Sequence, residues 1–165
     1  MKGKRLALSA CFAALICVVT AWVLHVPLPA GGYLHPGDAV IYLCACLLPQ
    51  PWAMAAAALG GSLADLLTAP VYAPWTLVIK ALLVPGFTAR QPRILCRRNL
   101  WALPLGGAIT LAGYYAADRV ILGTRAALAA WLPGNLVQVC LSAALFVLLG
   151  AALDRAKLKS RFFSL

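Results

Sequence analysis

The chain has 165 residues, 64% hydrophobic and 11% charged, with a mean hydropathy of +0.91 and a net charge of +10. That leaves too little polar surface to cover a soluble core, so composition excludes a soluble domain and points to an integral membrane protein. Nor does the positive charge mark a nucleic-acid binder, because most lysines and arginines cluster beside apolar runs, where they act as topology signals.

At roughly 20 apolar residues per span, the length accommodates about six helices in one compact bundle and no separate soluble domain. The expected fold is an all-α, six-transmembrane-helix domain with spans over 6–26, 35–48, 52–67, 74–87, 100–122 and 133–153. The first apolar run, Leu6 to Val26, follows a basic MKGKR start. It is longer than a signal core and lacks an A-x-A cleavage pattern, so it reads as a retained helix. Ala7 and Cys11, then Ala10 and Ala14, are small residues four apart, which lets a second helix approach closely in lipid. Two uses are open: packing within the bundle, or docking of another subunit.

Pro27, Pro29, Gly31 and Gly32 end that helix in a loop. His35, Pro36, Gly37 and Asp38 lead into the second, with Asp38 placed to cap its first turn. From Gly37 to Leu48 a helix covers only about 18 Å, short of a bilayer; either it begins earlier or irregular backbone here lines a cavity. The third span carries a face of small residues, Ala55 to Ala58, Gly60, Gly61, Ser62 and Ala64, and is closed by Asp65. A proline- and aromatic-rich turn, Thr68 to Trp75, reads as an ordered lid. Lys80 falls near the middle of the fourth span. Four arginines, Arg90, Arg93, Arg97 and Arg98, fill the next loop. The fifth span holds Tyr114, Tyr115, Asp118 and Arg119, and the sixth opens with Gly134, Asn135 and Gln138.

Six spans with both termini cytoplasmic place Lys2, Lys4, Arg5, the four loop arginines and the tail cations Arg155, Lys157, Lys159 and Arg161 on one side. Arg119 and Arg125 remain opposite, a strong positive-inside signal. His35, Asp38, Asp65, Tyr72, Trp75, Asp118, Asn135 and Gln138 then lie toward the outer face, with Lys80 below them.

Carboxylates, an ammonium, amides and aromatic rings at one end are what a pocket for a small polar aromatic solute needs: rings stack on Trp or Tyr, and a few polar groups fix orientation. Each has a plainer reading. Lys80 with Asp65 or Asp38 reads as a structural ion pair, since an unpaired charge there is costly. Asn135 and Gln138 could cap or bridge helices, Tyr72, Trp75 and Trp131 could be interfacial belt residues, and His35 a loop or cap residue.

No phosphate-loop, H-E-x-x-H or G-x-S-x-G pattern is present, and the histidines and six cysteines form no metal-ligand spacing, so neither a metal nor another cofactor is expected. Asp38 and Asp65 could in principle form an intramembrane catalytic dyad, but neither lies in a recognisable protease context.

The order of Ala10-x-x-x-Ala14, GYLHPGDAVIYL, GGSLADLLTAPVYAPWTLVIKAL and LPGNLVQ resembles the substrate-binding S components of energy-coupling factor (ECF) vitamin transporters, across essentially the whole chain. The segments around Gly37-Asp38 and from Ala64-Asp65 to Lys80 most resemble the branch associated with hydroxymethylpyrimidine, pyridoxine-like compounds or riboflavin. The resemblance implies a non-enzymatic, high-affinity binding subunit in a bacterial cytoplasmic membrane. Such a subunit works with a transmembrane coupling subunit, docked on Ala7, Ala10, Cys11 and Ala14, and two cytoplasmic ATPases. Its solute, hydroxymethylpyrimidine or a pyridoxine-like compound, would sit near the outer face. Trp75 or Tyr114 would stack on the ring, with Asn135, Gln138 and Lys80 along its edge and His35, Asp38 and Asp65 close by. The alternatives are a structural or assembly membrane protein whose polar cluster locks the bundle, and the aspartate enzyme.

Overall fold

The structure, a computed structural model, describes residues 2–23, 25–27 and 33–162. The expected loop over Pro29, Gly31 and Gly32, and the side chain of Trp131, lie outside the described residues. The helices are α1 (Lys2–Trp22), α2 (Gly37–Leu47), α3 (Gln50–Thr68), α4 (Ala73–Leu83), α5 (Arg97–Ile121), α6 (Thr124–Arg155) and a short α7 (Leu158–Phe162). Two two-residue strands, β1 (Val26–Pro27) and β2 (Tyr33–Leu34), pair antiparallel between α1 and α2. Lys2–Trp22, Arg97–Ile121 and Gly134–Arg155 are each long and apolar enough to cross a membrane, which makes this a multi-pass membrane protein.

Several boundaries differ from expectation. The first helix runs over 2–22 rather than 6–26, because Val26 and Pro27 pair with β2 instead of continuing it. The fourth stops at Leu83 and tightens into a 3-10 turn over Val84–Gly86, where Pro85 cannot extend an α-helix. The sixth begins at Thr124 and runs through Pro133 instead of starting there; neighbouring helices make an interior proline tolerable in such bundles. Pro104 lies likewise inside α5.

The short α2 is the centre of the molecule. Every one of its 11 residues is buried, and α1, α3, α4 and α6 all pack on it. A helix apolar on all sides is a core helix, and one sheathed in protein need not match the bilayer thickness, which resolves its shortness. Around it the helices touch closely where glycines leave room. A Cβ at Gly60 would lie 2.5 Å from the Ala13 carbonyl, so α1 and α3 meet backbone to backbone, and Gly107 accepts Val139 between α5 and α6. Beneath the polar residues, Tyr42 stacks on Phe87 at 4.8 Å, and Phe146 closes on both edge-on at 5.9 and 5.7 Å. The α1 face bearing Ser9, Ile16, Cys17 and Thr20 is buried; Ala7, Ala10, Cys11 and Ala14 are exposed, so packing within this chain leaves them uncovered.

Candidate functional site

Lys80 reaches the centre of the bundle because Gly61 makes way for it: a Cβ at Gly61 would lie 2.8 Å from Lys80 Cγ. Its Nζ donates to Asp38 Oδ1 at 2.6 Å, and both side chains are essentially inaccessible, 1% and 0% exposed. Gln138 Nε2, from α6, donates to Asp38 Oδ2 at 3.3 Å. Both carboxylate oxygens of Asp38 are thereby engaged, as a buried charge requires. Asp38 is therefore no helix cap. The residue preceding α2 is Pro36, whose own side chain makes no capping hydrogen bond. The Lys80 ammonium also lies 5.1 Å from the centroid of the Tyr114 ring, a cation–π distance.

From this pair a ladder of polar contacts climbs between α4 and α5. Thr76 Oγ1 and the Tyr114 hydroxyl are 2.9 Å apart, and the Tyr72 hydroxyl donates to Asp118 Oδ1 at 2.8 Å. Tyr72, in the 3-10 turn that leads into α4, is spaced four apart from Thr76 and Thr76 from Lys80, as are Thr110, Tyr114 and Asp118 on α5. Four-residue spacing keeps each set on one helical face, and two antiparallel helices facing each other this way pair rung by rung. The register sets Thr110 opposite Lys80, which has turned instead toward Asp38. Thr110 Oγ1 on α5 and Ser142 Oγ on α6, both fully buried, have no hydrogen-bond partner among the described residues. Ser142 is one turn beyond Gln138.

The structure thus brings together Asp38, Lys80, Tyr114 and Gln138. His35 is buried just ahead of α2, where its Nδ1 accepts the Gly37 N–H at 3.0 Å. A Cβ at Gly37 would overlap Thr20 Oγ1, so this entry to α2 requires glycine. Asp65 is buried one turn along α3 from Gly61. Asn135 is half-buried within α6, three residues before Gln138 and well inside the helix rather than at its start. Trp75 is half-buried on the α4 face it shares with Ile79, whose side chain packs on Gly113 of α5, beside the ladder rather than in it. Sequence reasoning did not single out Thr76, Thr110 or Ser142; the four-residue spacing to Lys80, Tyr114 and Gln138 was the available signal.

Asp38 is bound through Oδ1 to an ammonium and through Oδ2 to an amide, so its charge is met within the bundle. What the arrangement offers is hydrogen bonding, ring stacking and fixed charge, the means of binding a solute. Residues 1–155 match the family model described as ECF-type riboflavin transporter, S component. A Pyrococcus woesei protein, described as an uncharacterized protein in the gap 3′ region, is 35% identical over 115 residues, 67% of this chain and 76% of that protein. With a family model spanning nearly the full length, the chain belongs to the S component family of ECF-type riboflavin transporters and is a transport subunit.

Proposed function

We propose that this subunit binds a small, planar, polar heteroaromatic vitamin or vitamin precursor at the ladder end of the bundle, and delivers it through an ECF module of one membrane subunit and two ATPases. Six membrane crossings with both termini cytoplasmic, in a bacterial-type membrane, fit the charge distribution: every cluster of cations flanks the other end. The observation that carries the reading is the convergence of α2, α4, α5 and α6 on Asp38, Lys80, Tyr114 and Gln138, with the Thr110 and Ser142 hydroxyls beside it still able to hydrogen-bond.

In this reading the Asp38–Lys80 pair is the rigid floor of the site. It orients Gln138 and Tyr114, while Asn135, Gln138 and the two hydroxyls meet the polar edge of the ring and Tyr114 or Trp75 its face. His35 and Asp65 shape the surrounding wall. The family's name makes riboflavin the first compound to test; hydroxymethylpyrimidine and pyridoxine are smaller members of the same chemical class. The exposed Ala7, Ala10, Cys11 and Ala14 on α1 supply a close-packing face for the membrane subunit.

The test is a thermal-shift screen of detergent-purified protein against riboflavin, hydroxymethylpyrimidine, pyridoxine and thiamine. A ligand at 100 times its Kd stabilises the native state by about 2.7 kcal/mol. One compound should shift the midpoint, with the shift lost in Asn135→Ala or Trp75→Ala. A flat screen with well-folded protein would overturn the reading and return the polar cluster to a purely structural role.

A further inference from the structure

At the basic end, opposite the ladder, a cleft of about 250 Å³ opens between the start of α3 and the segment joining α4 to α5. Pro49, Gln50 and Pro51 form one wall; Phe87, Thr88, Arg90 and Arg98 form the rest. Its frame is ordered by buried groups. Asn99, fully buried, accepts the Thr88 N–H at 2.8 Å and donates to the carbonyls of Thr88 and Ile94 at 3.2 and 2.9 Å. Arg98 is held across the 3-10 turn by its Nε on the Gly86 carbonyl at 3.3 Å and its Nη2 on the Pro85 carbonyl at 3.4 Å. Gln50 Nε2 reaches the same Pro85 carbonyl at 3.2 Å.

Charge in the cleft is uncompensated. Arg90 and Arg98 have no carboxylate partner among the described residues. Asp154, on α6, is committed instead to the Ile94 and Leu95 backbone N–H groups at 2.8 and 2.9 Å. A planar guanidinium pinned on one edge and exposed on the other suits a phosphate oxygen pair.

What lies beside the cleft names the source of that phosphate. Arg98, Trp101 and Leu105 share one face of α5, and the Cβ position of Gly86 lies 3.5 Å from Leu105, so this face runs directly from the arginine into an apolar strip. Trp101 is 79% exposed and Leu105 52%. A cationic head site continuous with an exposed apolar wall matches a phospholipid, headgroup in the cleft and acyl chains along α5; basic pockets between membrane helices at a cytoplasmic surface bind anionic headgroups. A free anion would make no use of the apolar strip.

We propose that this cleft is a binding site for the phosphate headgroup of an anionic phospholipid, seated on Arg90 and Arg98. The inference stands apart from the vitamin reading, since it concerns the opposite end of the molecule and its test contains no vitamin.

Purified full-length protein in neutral detergent is titrated with phosphatidylglycerol, phosphatidylcholine, inorganic phosphate and a poly-glutamate peptide, following the thermal midpoint and, by native mass spectrometry, bound lipid. Phosphatidylglycerol should bind and stabilise where phosphatidylcholine does not. Arg98→Gln and Arg90→Gln should each weaken it about 5-fold, the effect of one cation near an anionic headgroup, while Arg155→Gln, an exposed cation outside the cleft, leaves it unchanged. If Arg98→Gln fails to fold, Arg90→Gln alone decides. Unchanged phosphatidylglycerol binding in the cleft variants, equal loss in Arg155→Gln, or equal binding of phosphatidylcholine would overturn the site. Equal stabilisation by inorganic phosphate would overturn the lipid assignment, and stabilisation by poly-glutamate but neither phosphate probe would assign the cleft to an acidic protein segment.

Discussion

The two ends of this bundle use their carboxylates in opposite ways. At the ladder end, Asp38 meets an ammonium and an amide, and Asp118 meets a phenol, so side chains satisfy side chains. At the basic end, Asp154 clamps two backbone N–H groups some 60 residues away in sequence, and no acid among the described residues compensates Arg90 or Arg98. The first arrangement buries an ion pair and satisfies its carboxylates with side chains; the second holds the α4–α5 connection in place and leaves its cations exposed. Only four acids exist in the chain, so a carboxylate used to order backbone is one not used to neutralise charge. That scarcity separates an end whose carboxylates meet side chains from an end whose carboxylate meets backbone.

Breaking the buried pair should have the largest effect. Asp38→Ala leaves Lys80 uncompensated in the core and should cost about 3–5 kcal/mol, read as a lowered thermal midpoint and poor recovery of monodisperse protein. Asp38→Leu with Lys80→Met removes both charges and should recover much of that loss. Equal instability of the double variant would mean that the pair's hydrogen bonds, rather than its charges, matter.

Asp154→Ala tests the opposite end. With two backbone donors deprived of their acceptor, a loss of about 2–3 kcal/mol is expected, with faster hydrogen exchange at the Ile94 and Leu95 amides and unchanged exchange in α2. Fast exchange in α2 as well would show that the ends are not separate.

Removing the outermost rung should matter less. Tyr72→Phe deletes a hydrogen bond to a carboxylate and should cost about 1.5–2 kcal/mol; no change in midpoint would mean that water replaces the phenol and the ladder is open there.

The smallest expected change is a gain. Lys159 is buried on α7, and its Nζ has no hydrogen-bond partner among the described residues; burial pushes its pKa below the usual lysine range. The folded state therefore binds this proton less tightly than the unfolded state, so stability should rise as pH increases through the folded pKa toward the ordinary lysine value. Lys159→Met should stabilise by about 1 kcal/mol at neutral pH and flatten that part of the pH profile. A loss of stability instead would place the ammonium in contact with a group that holds it.

Much of this was legible in the residues themselves. The basic clusters could be seen because topology signals are local in sequence, and Lys80 with Asp38 stood out because charges inside apolar runs are rare. Helix ends were less legible: Pro133 reads as a start, yet α6 passes through it, and Val26-Pro27 reads as helix, yet it pairs with Tyr33-Leu34. In both cases a partner distant along the chain or a neighbouring helix overrides local propensity. Asp38 shows the same effect at the site. Its position before an apolar run reads as a cap, but a buried ammonium from α4 is a stronger partner than the first-turn amides.

By itself, the sequence determined the class of the protein, the family motifs in order, the cationic clusters and the four-residue polar spacing of α4 and α5, all set by composition and by neighbours within a few turns. Tertiary structure alone decided which groups meet. Lys80 joins Asp38 across 42 positions and Gln138 joins it across 100. Such pairings depend on how α2 is enclosed by the helices around it, and helix packing is chosen by shape and by the cost of leaving a buried charge unpaired, neither of which is written in any short stretch of chain.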